Sequence, residues 1–157
     1  MRMRVPSIAV AVVVGALAGC GSGSSSSTTT SSADQSASFK AGFESAAVQL
    51  KRTAVAVGRA LQNAPSQSAG QAQATFSGLA DQWQSASAKL DPLQPPPAAA
   101  SDFAALKSSA ARVETDLNAI TSAAASNDTA AAKQAAIKAI TDIVATRSAA
   151  AKVEGEL

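Results

Sequence analysis

From residue 39 onward, apolar side chains recur at spacings of three and four, and the pattern breaks at only three places: Pro65, residues 91–97 and the Asn127-Asp128 pair. That period is helical, and no segment shows the strict alternation of a half-buried strand. Phe39, Phe43, Ala46, Leu50, Thr53, Val57 and Ala60 line one face of a first helix expected over 36–63. Phe76, Leu79, Trp83, Ala86 and Leu90 line a second, which opens near Ser68 and closes before Pro92. Phe103, Leu106, Ala110, Val113, Leu117 and Ile120 line a third that ends at Ala125. Ile137, Ile140, Val144 and Ala151, widened by Ala136 and Ile143, are the expected inward face of a fourth over 129–153.

The breaks carry their own chemistry. Ser68 and Gln71 have the spacing of a capping box, in which side chains at both positions satisfy free backbone amides. Asp91 precedes a proline, which pushes it out of helical dihedrals. Ser101 or Asp102 is placed to cap the third helix, and Asp128 the fourth. Short breaks between long amphipathic helices imply antiparallel neighbours. The expected fold is all-α, an antiparallel up-down four-helix bundle over 38–157. Periodicity alone leaves an elongated three-helix arrangement open.

Only 3% of the residues are aromatic, so alanine and aliphatic side chains must supply the core, and helix axes can approach closely. Ahead of the helices, Gly21 to Ser32 is a Gly/Ser/Thr run that cannot bury a core. Residues 20–37 therefore read as a flexible tether. Before it, Arg2 and Arg4 precede an apolar stretch over 8–18, too short to span a bilayer and ending in small residues, which is the layout of an export signal.

Leu17-Ala18-Gly19-Cys20 closes that signal and resembles the bacterial lipobox. The resemblance implies cleavage between Gly19 and Cys20, removal of residues 1–19, and acylation of Cys20 with a diacylglycerol thioether. It implies a protein held by its lipid on the extracytoplasmic face of the cell membrane. The remaining chain resembles the small Ala-rich helical lipoproteins of high-GC Gram-positive bacteria in composition and layout. Cys20 is the only cysteine, so an intrachain disulfide is excluded.

The charge balance excludes one class of partner. The chain has 13 basic and 11 acidic side chains, and loss of Arg2 and Arg4 with the signal leaves 11 of each. No net positive field argues for nucleic acid. With no histidine and no thiol left unmodified, the usual metal, haem and nucleophile chemistries have no residues to use. Glu114 and Asp116 are two apart and diverge on a helix, so they do not make an acid–base pair. The expected protein is not an enzyme and carries no cofactor or metal.

Two groups of residues are the candidates for function. Val48 and Val55 fall opposite the apolar stripe of the first helix, beside Arg52 and Arg59, and suit contact with an envelope protein, the cell wall or an anionic surface. Trp83 and Arg147 both project onto inward faces and suit a ligand site between helices. The expected role is a membrane-anchored, non-enzymatic interaction module of the cell envelope, with a small-ligand binder as the alternative. Neither the partner nor the oligomeric state is legible in the sequence.

Overall fold

A computed structural model describes residues 32–157, with side chains from Asp34 onward. Four helices make up nearly all of it: α1 (Ser32–Asn63), α2 (Ala69–Ser87), α3 (Ala100–Ala125) and α4 (Thr129–Gly155). Single 3₁₀ turns follow α1 and α2, and no strand occurs among the described residues. The helices pack on one another around one apolar core. Helix α1 begins four residues ahead of the expected Ser36, although its first buried side chain is Phe39.

The helix ends follow from local chemistry. Ser68 and Gln71 form the capping box, with the Gln71 amide donating to Ser68 Oγ and the Ser68 amide to Gln71 Oε1. Asp128 caps α4 by accepting from the Ala131 amide at 2.9 Å. Asn127 takes the left-handed conformation that turns the chain there, with φ of 56°. Asparagine tolerates that region better than most residues. Helix α3 differs from expectation. Its cap position is Ala99, which makes no side-chain cap, and Asp102 sits in the first turn, where its charge faces the positive helix end.

Three of the four expected stripes are buried as read. Phe39 stacks on Phe43 at 5.8 Å and meets the edge of Phe103 at 5.2 Å, tying α1 to α3. Trp83 is almost wholly buried, and its indole N–H donates to the Ala110 carbonyl at 2.8 Å, tying α2 to α3.

Helix α4 is turned the other way. Ile137, Ile140 and Val144, expected inside, are 66%, 52% and 60% exposed. The buried side chains are Ala135, Ala139, Thr146, Ala149 and Val153. Helix α4 packs mainly on α3, the most extensive helix–helix contact among the described residues, and Thr146 borders a groove toward α1.

Two physical reasons decide the rotation. Alanine at the seam is small enough to let two helix axes approach closely. Moreover, Lys133 and Arg147 share the arc of the Ile/Val stripe. Burying that arc gains about 1.5–3 kcal/mol for each aliphatic side chain taken fully from water. Burying two cations without partners costs several kcal/mol each. The outward solution wins.

Candidate functional site

Every large hydrophobic side chain that is exposed among the described residues lies on α1 or α4: Val48, Val55, Ile137, Ile140 and Val144. On α1, Val48 and Val55 are half exposed opposite the buried stripe, with Arg52 and Arg59 exposed beside them. Arg52 also borders a shallow groove against α2 that contains Asp81. On α4, Lys133, Ile137, Ile140, Val144, Arg147 and Ala151 are all exposed and fall within an arc of about 80° at 100° per residue. Sequence periodicity found this α4 stripe but assigned it to the core.

Arg147 does share a face with Ile140, Val144 and Ala151, as expected, but that face points away from the core. It enters none of the ion pairs among the described residues, which join Lys107 to Asp91, Arg112 to Asp142 and Lys152 to Asp102. Trp83 and Arg147 do border a common groove of about 210 Å³ between α1 and α4, together with Lys51 and Glu154. The indole forms part of its wall and spends its polar hydrogen on the Ala110 carbonyl, so it offers a ligand only an apolar edge.

A larger cavity, about 510 Å³, lies at the other end of α4. Leu61, Phe76 and Ile120 give it an apolar wall, and Gln67, Asp128 and Lys133 supply polar groups. Gln67 Oε1 is buried there without a hydrogen-bond partner. Residues from α1, the turn after it, α2, α3 and α4 build this cavity. Sequence reasoning missed it because its parts come from every helix. The only signal was that the breaks at Pro65 and at Asn127-Asp128 meet at one end of the bundle.

A buried carboxyl was also missed. Asp116 is 8% exposed on the α3 face toward α4, and its Oδ2 has no hydrogen-bond partner. Burial pushes its pKa above the ordinary 3.8, and the nearby Asp142 carboxylate pushes it further; Lys138 and Arg112 offset part of this. A proton on Asp116 turns it into a donor toward Asp142, which accepts from Arg112 Nε at 2.8 Å. Glu114, its neighbour in sequence, takes no part. Asp116 and Asp142 lie close together on facing helices, and Asp116 lines neither of the two cavities that Trp83, Arg147 and Phe76 border.

Gly19 and Cys20, the expected cleavage and acylation site, lie outside the described residues, as do the signal and most of the tether. Among the described residues no helix is long and apolar enough to cross a membrane, and no group of three or more acidic, His or Cys side chains is gathered to hold a metal ion. No family model, characterised protein or solved structure is detectably similar to the chain.

Proposed function

We propose that the protein is an extracytoplasmic lipoprotein, anchored through acylated Cys20, that serves as a non-enzymatic interaction module of the cell envelope. The observation that carries the interaction role is the confinement of the exposed large aliphatic side chains among the described residues to α1 and α4, which leaves α2 and α3 without any. A helix that offers solvent three β-branched residues in one arc keeps an apolar surface that folding alone does not require. The lipobox residues and the Gly/Ser/Thr run support the anchor and tether. The absence of histidine and of a second cysteine from the sequence supports a role without catalysis.

We read the helices as an antiparallel up-down bundle. Two cross-links favour it: Asp102 at the start of α3 approaches Lys152 near the end of α4 at 4.0 Å, and Arg112, further along α3, meets Asp142, further back along α4. That order is what oppositely directed helices produce.

The test is in-cell crosslinking of the full chain beside a Cys20→Ala variant, with the mass of the mature N-terminus measured in both. Acyl chains on Cys20, and crosslinks to lipid or protein that depend on them and on Ile140, are the expected result. An unmodified Cys20 refutes the anchor, and crosslinks indifferent to the α1 and α4 residues refute the module.

A second reading has its own observation. The cavity of about 510 Å³ beside Phe76 and Lys133 falls within the range of small-molecule sites, and the groove at Trp83 and Arg147 does not. Native mass spectrometry of the protein recovered from cells would show a retained ligand, and Phe76→Trp would report its release by fluorescence. A ligand-free mass, unchanged by Phe76→Ala, refutes this reading.

A further inference from the structure

We propose that the outward face of α4 docks on an anionic lipid bilayer, through Ile137, Ile140 and Val144 with Lys133 and Arg147 at the two ends of the patch. The docking deepens the anchored-module reading, because the lipid on Cys20 is what brings this face to the bilayer.

Charge distribution is the first argument. Helices α1 and α4 carry eight of the eleven cations that follow Cys20, but only four of the eleven acids. The molecule is neutral after signal removal, yet its α1 and α4 side is positive and its remaining surface negative. The three ion pairs found among the described residues all draw on α3 or the loop before it, and none of the three includes Lys133 or Arg147. The arc of α4 that holds the aliphatic stripe contains no acid. An apolar strip with cations on it is the surface that lies in the headgroup region of an anionic leaflet.

Area separates a bilayer from a protein partner. Three side chains exposed by 52–66% offer on the order of 200 Å² of apolar surface. A stable protein interface needs about 800 Å² from each side. Shallow insertion into a bilayer has no such threshold, because each side chain contributes as it enters.

Tethering supplies the rest. Eleven residues separate Cys20 from the start of α1 at Ser32, and they reach at most about 40 Å in any arrangement. Helix α4 is itself about 40 Å long. The docking face therefore stays within one domain length of the membrane, and the tether strengthens by effective concentration a contact that the face makes on its own.

The test uses residues 20–157 with Cys20→Ser, which retain every side chain of the core. Cosedimentation is measured with vesicles of phosphatidylcholine and with vesicles of equal parts phosphatidylglycerol and phosphatidylcholine. Binding to the anionic vesicles only is expected. The double variant Lys133→Gln/Arg147→Gln should bind about 25-fold more weakly, roughly fivefold for each cation. Ile140→Asn/Val144→Asn should abolish binding with helicity unchanged by circular dichroism. Lys107→Gln, which removes a cation already paired with Asp91, should change it less than twofold.

No binding to anionic vesicles overturns the proposal, as does equal loss in the Lys107 and Lys133/Arg147 variants. So does binding that survives Ile140→Asn/Val144→Asn. Because this chain carries no lipid, the outcome is independent of whether Cys20 is acylated in cells, and the two readings fail separately.

Discussion

The rotation of α4 makes two substitutions at neighbouring positions behave oppositely, and the sequence pattern alone assigns them the reverse effects. Ile140 is 52% exposed, whereas Ala139 is fully buried against α3. Full burial of an isoleucine side chain stabilises by about 1.5–3 kcal/mol, so the half that Ile140 buries contributes about 0.7–1.5 kcal/mol. Replacing it by alanine recovers about 0.4 kcal/mol of helix propensity. Ile140→Ala should therefore stay within about 1 kcal/mol of the parent. Ala139→Leu places extra carbons in the most extensive helix–helix seam, where overpacking costs about 1–3 kcal/mol. Urea denaturation followed by circular dichroism measures both, with the midpoint as the readout provided the slope is unchanged. If Ile140→Ala lost more than about 2 kcal/mol while Ala139→Leu was neutral, the Ile/Val face would be the core. The charge argument for the outward face would then be wrong.

Other consequences follow from single contacts. Trp83→Phe removes the indole hydrogen bond to the Ala110 carbonyl and leaves a void, and should cost about 2–4 kcal/mol in the same urea assay. Gly58 has open space where a Cβ would point, so Gly58→Ala should stabilise α1 by about 1 kcal/mol. Gly42→Ala should gain less, because its Cβ would run into Leu93 Cδ2. Asp116 has a raised pKa in the folded state, so the fold holds this proton more tightly than the unfolded chain does. Its stabilising contribution is full below the ordinary value near 3.8 and is lost as pH rises through the raised one. Asp116→Asn should remove that loss, gaining on the parent from acid to neutral pH. A constant difference between the two across that range would show that Asp116 does not titrate as described.

Much of the fold was legible because its determinants are local. A capping box needs only Ser68 and Gln71, and a turn needs only Asn127 and Asp128. Proline at 65 and 92 and the period of the Phe39, Trp83 and Leu106 stripes delimit three helices without reference to anything else. The sites were less legible because their determinants are not local. Burial and the Asp142 carboxylate on the facing helix raise the pKa of Asp116, and no intrahelical spacing announces that pair. The cavity beside Gln67 needs the ends of several helices at once.

Helix α4 shows why the size of apolar side chains is an unreliable guide to which face turns inward. It has two apolar faces, one of alanine and one of isoleucine and valine. Ranking them by hydrophobicity selects the second. Asking what else shares each arc selects the first, since the alanine face brings in Thr146, whose hydroxyl bonds the Asp142 carbonyl at 2.7 Å, and the other brings in Lys133 and Arg147. The cations that keep the large aliphatics out of the core are the same ones that suit that face to an anionic surface. The feature that defeats the simple inside–outside rule is thus the one on which the proposed interaction rests. Replacing Lys133 and Arg147 together by methionine tests this: it should weaken lipid docking and also remove the penalty that holds the stripe outside, giving a bundle whose Ile140 becomes protected from solvent. If docking were lost while Ile140 stayed as exposed as before, the seam geometry alone would set the rotation, and the cations would serve only the surface.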